Sequence, residues 1–119
     1  MTWGSTVYLA MKAAEDLEKE GSSVEVIDLR TISPWDSEMV FESVKKTNRL
    51  LIAHEDSLTM GFGAEVSARV ADECFDWLDA PIGRVGAMDC FVPAAPNLEQ
   101  DVLPSAETVR AGAEKVLRY

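Results

Sequence analysis

His54-Glu55-Asp56 carries the densest chemistry in the sequence: the chain's only imidazole followed by two carboxylates. An imidazole titrates near neutrality, and neighbouring carboxylates can tune it for proton transfer. The run Arg49-Leu50-Leu51-Ile52-Ala53-His54 reads as a strand. His54 and Glu55 then fall at its C-terminal end, where open α/β sheets hold their ligands. A lone histidine in such a place also commonly does no more than hydrogen-bond a nearby loop, and that structural role outweighs the catalytic one. Gly61-Phe62-Gly63 opens a helix and superficially resembles an anion cradle. It lacks both the third glycine of a dinucleotide fingerprint and the Lys-Ser/Thr of a P-loop, and Glu65 competes for the same positive potential. A tight turn that lets backbone approach closely is the better reading.

Cys74 and Cys90 have no second pair and no histidine at motif distance, so neither a zinc site nor a disulfide framework is indicated. Both read as inert packing residues of a protein from a reducing compartment. No Gly-x-Ser-x-Gly elbow supports a hydrolase. Trp3, Trp35 and Trp77 are scattered, which suits core or interface anchoring better than base stacking. Residue types and spacing alone therefore name no catalytic, cofactor-binding or metal-binding residue.

The elements that must position these groups alternate. Val7, Met11, Ala14 and Leu17 form the apolar stripe of a helix over residues 5–20, with Ser5 as its N-cap and Gly21 as its C-terminal stop. Val24 to Leu29 reads as a buried strand. Asp36 caps a helix over residues 37–47 that buries Val40 and Val44 and ends in Lys45-Lys46. After the second strand, Phe62, Val66, Val70, Cys74 and Leu78 mark a helix that Pro81 ends. Ile82 to Ala87 is a weaker third strand, residues 88–104 an irregular connection, and Ser105 caps a last helix holding Val109, Ala113, Val116 and Leu117. The expected fold is α/β in three layers, α/β/α: a small, mainly parallel sheet with helices on both faces. Such a fold wants a strand before its first helix, yet only Met1-Thr2-Trp3 precedes Gly4. A longer protein with its first strand truncated is therefore expected.

At 119 residues with 47% hydrophobic side chains, the chain is the size of one domain with a real core. A formal net charge of -10 opposes binding to nucleic acid and to anionic membrane surfaces. No apolar run is long enough to span a bilayer, and the N-terminus has no export signal.

Four blocks in order carry a resemblance: Val24 to Pro34, His54-Glu55, Gly61-Phe62-Gly63-Ala64-Glu65, and Leu78-Asp79-Ala80-Pro81-Ile82-Gly83-Arg84-Val85. Together they resemble the C-terminal, transketolase-type domain of the 2-oxo acid dehydrogenase E1 component beta subunit, over residues 1–119 as one domain and roughly the subunit's last third. Transketolase and deoxyxylulose-phosphate synthase carry related tails. The chain departs from the family pattern at Met60, where Gly is usual, and at Cys90-Phe91, where Thr-Pro is common.

The resemblance implies an oxidoreductase in a multienzyme complex. There an α2β2 E1 uses thiamine diphosphate and Mg²⁺ to decarboxylate a 2-oxo acid and passes the acyl group to E2. The cofactor sits between the alpha subunit and the N-terminal half of beta, so no cofactor residue carries over and the isolated domain is expected to be inactive. The implied partners are the E1 alpha subunit, a second beta subunit, and the peripheral subunit-binding domain of E2. Asp79 and the terminal Tyr119 are the expected contacts with E2. The implied location is a bacterial or archaeal cytoplasm, or a mitochondrial matrix. A stand-alone binding or oligomerisation module without catalysis, and the C-terminal domain of another thiamine enzyme such as transketolase or deoxyxylulose-phosphate synthase, are the rival readings.

Overall fold

The computed structural model describes residues 1–119. Two strands form its regular ladder, β1 (Leu51–Ser57) and β2 (Gly83–Ala87), paired in parallel with Leu51 opposite Gly83 and Ala53 opposite Val85. Thr2 lies on the other side of β1 and makes parallel bridges to both Ala53 and Asp28. The sheet thus reads, edge to edge, 24–29, Thr2, β1, β2. Residues 24–29 are extended but do not form the full strand the sequence predicts. Their ladder partner is Thr2 alone, so only two bonds form: Thr2 N–H to Ile27 O and Leu29 N–H to Thr2 O, each 2.9 Å.

Helices cover both faces. On one, α2 (Ser37–Thr47) and α3 (Phe62–Cys74) enclose Ile27, Leu29, Val40, Val44, Ile52, Val66, Val70 and Cys74. Val40, Ile52, Val66 and Val70 are fully buried, each worth about 1.5–3 kcal/mol. On the other face α1 (Thr6–Lys19) and α5 (Ala106–Leu117) close over Ala13, Ala53 and Val109. These are the three layers and parallel order expected.

The caps follow local chemistry. Asp36 Oδ1 accepts the Met39 N–H at 3.0 Å, and Ser105 and Thr108 form a reciprocal capping box. Ser5 does not cap α1: its backbone is already helical and its hydroxyl makes no capping bond. The buried face of α1 is Thr6, Ala13 and Leu17, while Met11 points outward, because α5 and β1 approach from the side of Ala10 and Ala13. Gly21 takes the positive φ of 91° expected of a helix stop. The third helix stops at Cys74 and passes through a 3-10 turn, Phe75–Trp77. Within residues 88–104, expected to be irregular, Pro96 starts a short helix, α4 (Pro96–Val102), since proline suits a first helical turn.

Candidate functional site

His54 stands inside β1, three residues before its end, and not at the strand terminus the sequence suggests. Its side chain is fully buried and neither ring nitrogen has a hydrogen-bond partner. Trp3 stacks on the imidazole with centroids 5.1 Å apart and planes within 8°. Phe62 meets Trp3 edge-on, and Trp35 meets Phe62 in the same way.

Glycines form the rest of the enclosure. A Cβ at Gly63 would lie 2.3 Å from His54 Nε2, and one at Gly86 would lie 3.1 Å from Cε1. The Gly61-Phe62-Gly63 turn therefore serves close packing, as read from the sequence, and Glu65 sits in the first turn of α3. Burial holds the imidazole below its ordinary pKa, so His54 is neutral near pH 7. It is a buried core group. Glu55 alternates away from it and is exposed.

Beyond His54, the C-terminal edge of the sheet is built from two loops. Thr59 donates both its N–H, at 3.0 Å, and its hydroxyl to the Asp89 carboxylate. These bonds hold Asp89 below the usual carboxylate range. Arg84 closes the same junction by donating to Leu58 O at 2.8 Å. Sequence spacing gives no sign of this clamp, because its partners are thirty residues apart. It presents apolar side chains to solvent: Met60 is 94% exposed and Phe91 fully exposed, with Met88 and Val92 beside Asp89 in the chain. Cys90 lies in this loop and is exposed, so it is not a packing residue. Cys74 is buried, as expected, and burial pushes its thiol pKa up, away from nucleophilic chemistry.

The opposite edge, where the strands begin, carries Asp79 and Tyr119. Asp79 donates its N–H to Asn48 O at 2.9 Å, and its carboxylate lies 4.0 Å from Arg49, just ahead of β1. Tyr119 follows α5, whose Val116 packs on Gly83 at the start of β2. The fold thus brings both residues to one edge, with the Asp79 side chain 63% exposed and Tyr119 largely exposed.

Asn48 was not singled out from sequence. It takes the left-handed C-cap of α2 and donates to Trp77 O at 2.8 Å, which fixes the segment leading to Asp79. No three His, Cys, Asp or Glu side chains gather in a metal-holding group. No helix is long and apolar enough to cross a membrane.

Residues 1–109 match the family model described as "Transketolase, C-terminal domain". The chain is 45% identical, over its whole length, to the pyruvate dehydrogenase E1 component subunit beta of Rickettsia felis, covering 36% of that relative. It is 48% identical over 117 residues to the mitochondrial 2-oxoisovalerate dehydrogenase subunit beta 2 of Arabidopsis thaliana, covering 98% of this chain and 32% of that one. Among solved structures, a chain described as "Split gene transketolase, inactive beta4 tetramer" superposes with a TM-score of 0.85 at 30% identity, over 98% of this chain and 38% of the other. The sequence thus spans about a third of the length of the curated relatives it matches.

Proposed function

The chain belongs to the transketolase C-terminal domain family, and from that premise we propose that it serves a 2-oxo acid dehydrogenase E1 beta subunit as its assembly and E2-docking domain. Its relatives among pyruvate and 2-oxoisovalerate dehydrogenase beta subunits are 41–48% identical, against 30% for the transketolase neighbour. The observation that carries an assembly role is the apolar C-terminal edge. Phe91 and Met60 stand free in water on loops held firm by the Thr59–Asp89 clamp. A rigid apolar patch is what a subunit interface buries. Thiamine diphosphate and Mg²⁺ belong, in this reading, to the complete enzyme of alpha and beta subunits, in a bacterial cytoplasm or mitochondrial matrix.

Sedimentation of the 119-residue chain, alone and with E1 alpha subunit, tests the assembly role. Association is expected for the parent and lost in Phe91→Asp. A parent that stays monomeric at millimolar concentration and ignores the alpha subunit would overturn it.

Docking of E2 falls to the opposite edge. Asp79 and Tyr119 share it, and a chain of net charge -10 steers a basic partner inward. Asp79→Asn, or an extension beyond Tyr119, should lower affinity for the peripheral subunit-binding domain of E2, most strongly at low salt. Unchanged affinity in both variants would move docking elsewhere.

A second reading, a binding or oligomerisation module without catalysis, draws on the same architecture occurring in an assembly described as an inactive β4 tetramer. Self-association without alpha-subunit binding would favour it.

A further inference from the structure

Asn48 holds one short stretch of chain at both ends. Its side-chain amide donates to Trp77 O at 2.8 Å, and its carbonyl accepts the Asp79 N–H at 2.9 Å. Asn48 is itself fixed, since it takes the left-handed C-cap of α2 at a φ of 59° and donates its own N–H to Val44 O at 2.7 Å. Between the two bonds Leu78 is extended, with φ -87° and ψ 119°, and packs against the α2/α3 core. Trp77 and Asp79 flank it, and both are exposed. Their α-carbons lie no more than about 7 Å apart, the reach of two residues of chain.

Trp3 and Trp35 each meet other aromatic rings of this chain, whereas Trp77 meets none. Its surroundings are acidic: Asp72, Glu73, Asp76 and Asp79 are all exposed. The first three have no ion-pair partner, and Asp79 has only Arg49, at 4.0 Å. Lys45 is the other base beside this turn. An indole and a carboxylate this close together can be met by a single arginine. Its planar guanidinium stacks within about 6 Å of a ring centroid and offers its edge to the carboxylate, a combination that the compact ammonium of lysine serves poorly. Tryptophan is among the residues that carry most binding energy at interfaces, and a site already held in place by Asn48 loses little entropy when it is filled.

We propose that Trp77 is the aromatic anchor of the Asp79 edge: its indole takes the flat face of the partner arginine that pairs with Asp79, so the edge selects arginine over lysine. That role rests on the reading of this edge as the E2-docking surface, and adds to it recognition of the cation's shape. Asn48 is the positioning residue, since it sets both Trp77 and Asp79. Asp72, Glu73 and Asp76 draw the basic partner in, and as exposed charges they add little to affinity.

Calorimetry tests this, with the peripheral subunit-binding domain of the cognate E2 titrated into the E1 assembly that contains this chain. Trp77→Leu should weaken binding about tenfold, and should do so at high salt as well, where the loss in Asp79→Asn shrinks. Replacing the arginines of the E2 domain by lysines keeps its charge. That change should weaken binding to the parent about tenfold and to Trp77→Leu much less, the coupling expected of direct partners. An unaltered urea midpoint would show that Trp77→Leu keeps the fold. If the variant does not fold, the lysine-substituted E2 domain against the parent decides, and equal affinity overturns the anchor. Parent affinity in Trp77→Leu beside a loss in Asp79→Asn overturns the anchor and leaves docking in place. No loss in either variant, or no binding by the parent, removes both from this edge.

Discussion

Trp3 lies flat on His54, with ring centroids 5.1 Å apart and planes within 8°. The indole covers one face of a ring already enclosed by the glycines of the β1–α3 turn and by Gly86. A group with two unsatisfied nitrogens and no solvent contact gains nothing from protonation.

Acid should therefore weaken the fold at this point. Burial lowers the folded pKa of His54 below its ordinary 6.5, so the unfolded chain takes the proton first, and stability falls as pH drops through about 6.5. Urea midpoints measured between pH 5 and 7.5 should show a smaller acid loss in His54→Leu than in the parent. An identical pH dependence would mean that His54 is hydrated in solution.

Gly63→Ala sets two effects against each other. Alanine in a helix gains about 1 kcal/mol over glycine. Its Cβ would meet His54 Nε2 at 2.3 Å, and overpacking a rigid site costs about 1–3 kcal/mol. The clash should win, lowering the Tm by several degrees. In a His54→Ala background the same substitution should cost less, the coupling expected of direct neighbours. Additive effects would contradict the contact.

Met60→Gly should stabilise. Met60 holds a positive φ of 63° with its side chain in water, so it carries left-handed strain without packing in return. Relief of roughly 1 kcal/mol, partly offset by glycine's greater unfolded freedom, is expected. Chemical denaturation would read it as a higher midpoint at constant m, and a lower midpoint would show that Met60 packs on something.

The amino terminus should give the chain a second acid sensitivity. A folded pKa of about 5 against 8.0 unfolded means that stability rises with pH between those values, by up to about 4 kcal/mol. Acetylating Met1 should remove this rise while leaving the His54 contribution intact. A slope unchanged by acetylation would place the ammonium in solvent.

What the sequence by itself determined is carried by local periodicity and capping, although the Met11 position of the α1 stripe was decided by packing. The spacing-four stripe of Val66, Val70 and Cys74 buries as read, Asp36 and Ser105 cap the helices assigned to them, and the order of helices and strands implies a parallel sheet with two covered faces. These features depend on a few neighbouring residues, so a window of sequence contains them.

Tertiary structure alone decided the rest. A pattern of apolar residues shows that Val24 to Leu29 is extended, but not that Thr2 is its one ladder partner. His54 has the composition of a proton-transfer group, and only the arrival of Trp3 and Gly63 from elsewhere in the chain makes it a neutral core residue. The Thr59–Asp89 clamp and the shared edge of Asp79 and Tyr119 likewise join residues far apart in sequence. Burial and partnership are properties of space, and they decide whether a titratable side chain works on a substrate or only fills the core.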